Sequence, residues 1–299
     1  MYVGDTRQLP YTLTPSDINT KTIVFSSSDS TIVSISNSGL LTARKSGLSV
    51  VSLSNHDKTI SVECLVSVLA KRTIDSLKVG LIAYYPFKYD SAVDSSGNGN
   101  DGTLNNMTSV PDRFGNPNSA FYFNGSNSYI NVKDNQALRL SNTDFTINSW
   151  VSLDQYNSSS GSFIICKRTG TSNNDGWGYS VTGTGFIGGP AGFAFFGDGG
   201  TDPYALSKTM VGTSKWVMIT AVYSFTKQEI KIYMNGILDN TIENFPPPNS
   251  SIVSDLYIGR DNISAPTPGY SLQGKIDDIR IYNRAISAAT IQKLYQLPY

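Results

Sequence analysis

The residue types that build most catalytic and metal sites are scarce in this sequence. Its 299 residues include one histidine, two cysteines and three glutamates. A single histidine, His56, excludes mechanisms that need two, and the lack of a Cys-x-x-Cys pair excludes zinc and redox sites of that kind. His56 lies in the polar stretch 55–58, where an exposed turn residue is the expected role.

Charge of one sign and long apolar runs are also missing. The 23 basic and 23 acidic residues balance. Nucleic-acid-binding domains normally carry a basic excess, so we expect no nucleic-acid partner. No run of 18 apolar residues occurs, so we expect no transmembrane segment in this chain. The opening residues, MYVGDTRQLP, lack the basic and apolar regions of a signal peptide.

Strong helix formers are few. Glutamate and alanine number three and 14, whereas serine numbers 40. The 17 tyrosines, 13 phenylalanines and 26 glycines suit short strands joined by polar turns. We therefore predict an all-β protein, and its length favours two domains.

The first 70 residues contain short apolar or alternating segments about every ten residues, with polar turns between them. This spacing is typical of a small β-sandwich. The segments are TIVFSSSD, IVSIS, LLTAR, LSVVSLSN and ISVECLVSV.

The remainder of the chain also reads as strands, followed by one helix. In FTINSWVSL the alternation places Phe145 and Val151 on one face and Trp150 on the other. The dipeptide Asn235-Gly236 predicts a tight hairpin, and Ser287 is a candidate cap for a terminal helix. We predict a large antiparallel jelly-roll sandwich with a short C-terminal helix. Its strands are FYFNG, YINV, FTINSWVSL, WVMITAVY, EIKIYMNGIL, LYIGR and KIDDIRIYN.

Motifs in the first segment resemble the bacterial immunoglobulin-like domain of group 2. They are Val3-Gly4-Asp5, Phe25-Ser26-Ser27-Ser28-Asp29 and Gly39-Leu40-Leu41-Thr42-Ala43. Phe25 stands where the family often has tryptophan. The resemblance covers about residues 1–69. It implies a small Ig-like sandwich that serves as a spacer or adhesion module on bacterial surface proteins, with no catalytic residues.

The remainder of the chain resembles the laminin-G-like, concanavalin A-like lectin/glucanase sandwich, because seven of its motifs occur in order. They include Gly80-Leu81-Ile82-Ala83-Tyr84-Tyr85-Pro86-Phe87, Ala120-Phe121-Tyr122-Phe123-Asn124-Gly125 and Gly274-Lys275-Ile276-Asp277-Asp278-Ile279-Arg280-Ile281-Tyr282. We therefore assign residues 1–69 to an Ig-like domain, 70–79 to a linker and 80–299 to the concanavalin A-like domain. The resemblance implies binding of carbohydrate or protein, often with a structural calcium, and some relatives are glycosidases.

Catalytic carboxylates are not evident. Glycosidases need two carboxyl groups flanking the bond, and the Glu-x-Asp-x-x-Glu run of the glucanase branch is missing. Asp277 and Asp278 are adjacent, but neighbours in a strand point to opposite faces. We predict a protein that is not an enzyme. The alternative is a divergent glycoside hydrolase or lyase of the same fold.

One segment has the oxygen density of a calcium site. Residues 94–102 (DSSGNGNDG) combine carboxylates, amides and glycines. The resemblance implies that this loop lies near the closing strand, so we predict one structural Ca²⁺ held by Asp94, Asn98, Asp101 and Asp277. The alternative makes Asp94 and Asn98 turn formers and Asp277 a buried, hydrogen-bonded carboxylate.

A candidate ligand patch follows from the tryptophans. Trp150 and Trp216 lie in strands that the resemblance places in the core, whereas Trp177 stands among polar and glycine residues. Sugar binding uses exposed aromatic faces with neighbouring polar groups. The alternative is that the aromatic residues cover the end of the core. The predicted patch comprises Asn174, Asp175, Trp177, Tyr179, Asp202 and Tyr204.

These features predict a non-catalytic binding protein that is secreted or displayed on a bacterial surface and recognises a glycan or polysaccharide. The alternative partner is a surface protein, bound by an adhesion or scaffold module. For export we expect a leader removed before Met1. Cys64 and Cys166 are predicted to be buried strand residues that behave as small apolar side chains.

Overall fold

A computed structural model describes most of the chain, which forms two compact units, Met1–Ile74 and Asp75–Tyr299. The division falls inside the segment 70–79 assigned as a linker. Side chains are described for residues 1–14, 23–70, 75–140, 142–156, 161–168, 176–184, 203–249, 252–261 and 270–297, and the backbone also for 193–195.

The first unit is a small antiparallel sandwich, as predicted. Its strands are β1 (Thr6–Gln8), β2 (Ile23–Ser27), β3 (Val33–Ile35), β4 (Leu40–Ala43), β5 (Gly47–Asn55) and β6 (Ser61–Val68). They form two three-stranded sheets, in the orders β1-β4-β3 and β2-β5-β6. Val33, Leu41, Val51 and Val68 belong to the core of this unit.

The two cysteines differ in exposure. Cys166 is buried, but Cys64 is exposed, so its predicted burial is wrong. Cys64 lies on β6, which ends its sheet order and is exposed from Ser61 to Leu65. Only the last part of β6, from Val66, reaches the core. An apolar alternating strand was therefore correctly predicted, but its position at the sheet edge was not.

The second unit packs two antiparallel sheets around one large core and ends in a helix, so the predicted all-β fold is confirmed. Its strands are β7 (Leu81–Tyr85), β8 (Gly102–Asn105), β9 (Thr108–Val110), β10 (Ala120–Asn124), β11 (Tyr129–Val132), β12 (Phe145–Leu153), β13 (Ser162–Arg168), β14 (Gly176–Val181), β15 (Phe193–Phe195), β16 (Val217–Ser224), β17 (Glu229–Met234), β18 (Ile237–Ile242), β19 (Leu256–Ile258) and β20 (Gln273–Tyr282). Short 3₁₀ turns cover Lys88–Asp90 and Gln136–Arg139, and helix α1 spans Ala288–Gln296.

The two sheets differ in size. The larger has eight strands in the order β18-β17-β16-β12-β20-β10-β9, with β7 also paired to β20. The smaller has six, in the order β15-β14-β13-β19-β11-β8. The core between them takes residues from both sheets, among them Ile147 of β12, Ile165 of β13 and Ile258 of β19.

Strand β12 is buried on both faces. Phe145 and Val151 enter the core between the sheets, as the alternation predicted. Trp150 points the other way, into a smaller cluster covered by α1, and its ring stacks on that of Tyr295 at 5.6 Å between centroids. Trp216 is partly buried against the same cluster. Both tryptophans therefore pack beneath the helix and not in the main core.

The predicted hairpin and helix start are confirmed. Asn235 and Gly236 connect β17 to β18 with φ values of 51° and 82°, the left-handed conformation that both residue types tolerate. The Ser287 hydroxyl accepts a hydrogen bond from the backbone N–H of Thr290 and so caps α1. In the described part of the chain, no helix has the length and apolar character needed to cross a bilayer.

Gly259 fixes the end of β19. Its φ is +86°, and a Cβ on it would lie 2.0 Å from a ring carbon of Phe123. Phe123 is fully buried in the core between the sheets. The position therefore demands glycine for two reasons, its backbone conformation and the space that Phe123 occupies.

We expect Gly259→Ala to lower the free energy of unfolding by more than Gly97→Ala does. Gly97 has a similar φ of +88° but nothing within 4 Å of its Cβ position. The control thus carries only the left-handed backbone cost, about 1–2 kcal/mol. The clash in Gly259→Ala adds about 1–3 kcal/mol. Chemical denaturation measures both, and equal losses would contradict the packing argument.

Candidate functional site

The two central residues of the predicted ligand patch are buried and do not lie on the surface. Trp177 and Tyr179 on β14 are fully buried in the main core. The Trp177 Nε1 donates to the carbonyl of Leu138 at 2.9 Å, and the Tyr179 hydroxyl donates to the carbonyl of Ile219 at 2.7 Å. With their faces packed and their polar atoms bonded inside the protein, neither ring can stack on a surface ligand. Trp177 and Tyr179 are therefore core residues, which is the alternative to the ligand patch given above.

Of the other four patch residues, the structure describes only Tyr204. Tyr204 is 44% exposed and keeps its place as a candidate surface aromatic. Asn174, Asp175 and Asp202 lie outside the described residues.

Trp177→Ala is expected to lower the free energy of unfolding by about 3–5 kcal/mol, as for other buried large aromatic residues. Tyr204→Ala is the matched control, with an expected loss of about 1 kcal/mol or less because the ring is exposed. Urea denaturation of both variants measures the two losses in free energy of unfolding. A Trp177→Ala protein as stable as wild type would contradict the core assignment.

In the loop 94–102, where calcium was predicted, the Asp94 carboxylate already accepts hydrogen bonds from the protein. The Asp94 carboxylate accepts from the backbone N–H groups of Tyr84, Ser96 and Asn100 and from the Ser96 hydroxyl, at 2.8–3.0 Å. Asn98 turns its amide nitrogen to the carbonyls of Leu81 and Ile82. The loop residues thus act as turn formers.

Asp101 and Asp277 do not complete a calcium site with Asp94. Asp101 accepts the backbone N–H of Asp94 at 2.8 Å, whereas Asp277 pairs with Arg113. Among the described residues, no three His, Cys, Asp or Glu side chains gather as metal ligands. The predicted ligands do not gather around one position, so these residues do not fit the ion as the structure places them.

Asp277 and Asp278 converge, although strand alternation placed them on opposite faces. Asp278 has a φ of +50°, and the pairing of β20 with β12 shifts register between Asn148 and Trp150, which makes a bulge. Both carboxyl groups consequently contact Arg113, at 2.5 and 3.4 Å. The predicted opposite facing is wrong because a bulge interrupts the alternation.

This convergence does not make a catalytic pair. The side chains of Asp277 and Asp278 are 0% and 3% exposed. Arg113 lies over both and stacks on the Trp150 ring at 4.5 Å, and Arg280 donates to Asp278 at 2.7 Å. The two carboxyl groups are enclosed by guanidinium groups and leave no room for a sugar.

Burial raises the pKa of Asp277 to about 8, the Asp278 carboxylate adds to the shift, and Arg113 opposes it. Between the ordinary value of 3.8 and about 8, the folded state retains a proton that the unfolded state releases. The free energy of unfolding contributed by this group therefore falls as pH rises through that window.

Asp277→Asn should remove this pH dependence. We expect the stability of wild type relative to the variant to decrease from pH 5 to pH 8, measured by denaturant titration. Glu63→Gln, at an exposed strand position, is the control and should leave the slope unchanged. A constant difference between wild type and Asp277→Asn across this range would contradict the raised pKa.

The smaller sheet presents an aromatic and polar cluster on its outer side. We call Tyr129, Asn131, Tyr257 and Arg260 the tyrosine face. All four side chains are partly exposed. On the same strands the alternate residues Ile130, Val132, Leu256 and Ile258 are buried in the core. Strand alternation therefore directs Tyr129, Asn131 and Tyr257 outward.

Strand pairing and one glycine assemble the tyrosine face. Antiparallel pairing of β11 with β19 sets Asn131 directly opposite Tyr257. The positive φ of Gly259 ends the alternation of β19, and Arg260 follows it onto the side of Tyr257. Four residues from two chain segments, β11 and the end of β19, thus meet on one sheet.

The rings and the guanidinium group pack closely. The Tyr129 and Tyr257 ring centroids lie 5.9 Å apart with a 48° angle between planes. The guanidinium carbon of Arg260 lies 4.3 Å from the centroid of Tyr129 and 5.1 Å from that of Tyr257. Cation–π contacts of this kind hold the guanidinium group against the rings.

Asp255 borders the tyrosine face. It accepts hydrogen bonds from Lys133 at 2.9 Å and from Asn131 at 3.2 Å. Partial burial raises the pKa of the Asp255 carboxyl, but these hydrogen bonds outweigh it and hold the pKa below its usual value. Asp255 is therefore a carboxylate already paired at neutral pH.

Sequence reasoning missed the tyrosine face, although both strands were predicted. The signal is present in YINV and LYIGR, where apolar residues alternate with Tyr and Asn. Two such short strands, each with an outward tyrosine, become a site only when they pair. That pairing joins residues more than 120 positions apart.

Comparison with known families identifies the class. Residues 91–292 match the model of the concanavalin A-like lectin/glucanases superfamily, and residues 1–66 match the bacterial Ig-like domain (group 2). The chain belongs to the concanavalin A-like lectin/glucanases superfamily and carries an Ig-like unit at its N-terminal side.

Several solved structures share the fold of the second unit. Domain 4 of AbnA, an extracellular arabinanase from Geobacillus stearothermophilus solved with arabinotriose, is 22% identical with a TM-score of 0.56, covering 72% of this chain and 98% of that one. The binding domain of Paraclostridial Mosquitocidal Protein 1 is 18% identical with a TM-score of 0.59, covering 73% and 52%. The binding domain of botulinum neurotoxin DC in complex with SialylT is 16% identical, with a TM-score of 0.54 over 73% and 52%. At these identities the likeness shows the fold.

A curated relative matches a short part of the chain. An uncharacterized protein of Clostridium acetobutylicum is 34% identical over 70 residues, which are 23% of this chain. The match spans 18% of that relative's length.

Proposed function

We propose that the second unit is a non-catalytic carbohydrate-binding module and that the tyrosine face is its binding surface. The observation that carries this proposal is the pairing of two outward tyrosines with an amide and a guanidinium group on one rigid sheet. The structural likeness to an arabinanase domain solved with arabinotriose supports it.

The chemistry of the tyrosine face suits a saccharide. Sugar rings present C–H groups to aromatic side chains and hydroxyl groups to polar ones. Tyr129 and Tyr257 offer apolar rings with hydroxyl groups, which combine contact area with hydrogen bonding at little entropic cost. Asn131 adds an amide oxygen that can accept a hydrogen bond from a sugar hydroxyl.

The Ig-like unit suggests where the module works. Both matched domain types are typical of bacterial surface or secreted proteins. We propose that the protein is exported and that the first unit serves as a spacer. A binding role without hydrolysis agrees with the enclosure of Asp277 and Asp278 beneath Arg113.

A glycan array followed by affinity electrophoresis tests the proposal with the full chain. Tyr257→Ala is expected to weaken retardation by the bound glycan at least about tenfold, because an aromatic contact is lost. Tyr122→Ala is the matched control, since Tyr122 is a partly exposed strand tyrosine of the larger sheet. Its binding should equal that of wild type, and both variants should keep the wild-type melting temperature.

Three outcomes would contradict the proposal. They are binding that survives Tyr257→Ala, binding to immobilised protein but to no glycan, and release of reducing sugar from a bound polysaccharide. The array is run with calcium and with EDTA. We expect equal binding in both, because the oxygens of Asp94 are already bonded.

A further inference from the structure

Arg260 has no carboxylate partner in the described part of the chain. Its Nε donates to the backbone carbonyl of Asp261 at 3.0 Å, and its guanidinium group lies on the rings of Tyr129 and Tyr257. The ion pairs found among the described residues do not include it. Among the described residues, the guanidinium group of Arg260 thus has no ion-pair partner and is partly exposed.

The carboxylates beside Arg260 are committed elsewhere. Asp255 pairs with Lys133, and Asp261 pairs with Arg168 through a buried contact. Neither pair includes the guanidinium group of Arg260. The tyrosine face therefore carries a positive charge that no described carboxylate neutralises.

We infer that the tyrosine face selects saccharides that bear a carboxylate or a sulfate group, with Arg260 binding the anion. This inference rests on the proposed carbohydrate binding by the same face. A guanidinium group matches carboxylate and sulfate oxygens through parallel N–H donors. The two rings already hold Arg260, so little side-chain freedom remains to be lost on binding.

The groups of the tyrosine face would bind different parts of the ligand. Arg260 takes the charged substituent, while the tyrosine hydroxyl groups and Asn131 bind sugar hydroxyls. A neutral saccharide can offer Arg260 only hydroxyl oxygens, which make weaker hydrogen bonds with a cation than an anion does. An acidic saccharide should therefore bind more tightly than a neutral one with the same backbone.

Matched polysaccharides separate charge from backbone. Polygalacturonate is compared with its fully methyl-esterified form, and dextran sulfate with dextran, by isothermal titration of the full chain. We expect one or both charged polymers to bind at least about tenfold more tightly than the neutral counterpart, and added salt to weaken the interaction. The two pairs distinguish carboxylate from sulfate as the preferred group.

Variants assign the effect to Arg260. Arg260→Gln should remove at least about tenfold of the affinity for the charged polymer and leave that for the neutral one unchanged. Arg260→Lys keeps the charge but loses the planar donors, so its affinity should fall between the two. Lys293→Gln, an exposed position on α1, makes the same change in net charge and should bind as wild type.

The results separate this inference from the proposed function. If neutral and charged polymers bind equally and Tyr257→Ala weakens both, carbohydrate binding stands and selection by Arg260 is overturned. The same holds if Arg260→Gln binds the charged polymer as wild type does. If Lys293→Gln weakens binding as much as Arg260→Gln, general charge attraction replaces the inference. If no saccharide on the array binds, both proposals fail.

Discussion

The central strand of the larger sheet, β12, is covered on both sides by the chain itself, and the assignment of recognition to the smaller sheet depends on this. All nine residues of β12 are buried. On the inner side β12 packs into the main core, and on the outer side Trp150 lies beneath α1. Arg113 covers the neighbouring part of β20. The smaller sheet, in contrast, keeps partly exposed tyrosines on its outer side, and recognition is assigned there.

Buried charge holds part of this cover in place. Arg113 and Arg280 enclose the carboxyl groups of Asp277 and Asp278 on the outer side of β20. Removing one partner from such a group leaves a buried polar atom unsatisfied, which costs far more than losing a surface ion pair. The acidic residues that invite a metal or catalytic interpretation therefore tie a loop to the sheet.

Local pattern predicted the elements, and long-range packing decided the site. The alternation in β12, the Asn235-Gly236 turn and the Ser287 cap depend on neighbouring residues, and each was correctly predicted. Trp177, in contrast, is buried among core residues distant in sequence, and its Nε1 donates to the carbonyl of Leu138, 39 positions away. Polar neighbours in sequence suggested exposure for Trp177, but its environment in the fold is apolar. No pattern in one strand reveals which sheet will cover it.

The same distinction explains the two aspartates and the tyrosine face. A bulge at Asp278 reverses the expected side-chain direction, and bulges depend on how two strands register. Tyr129 and Tyr257 each look like ordinary strand residues until β11 and β19 pair. Sequence can nominate outward aromatic residues, but it cannot say which of them meet.

Hydrogen–deuterium exchange with a bound saccharide tests whether recognition lies on the smaller sheet. The full chain is compared alone and with the glycan that binds best on the array. We expect protection to be concentrated in β11, β19 and the residues that follow β19, up to Asp261. Protection confined to α1 and to the loop containing Arg113, with β11 and β19 unchanged, would contradict the assignment of recognition to the smaller sheet.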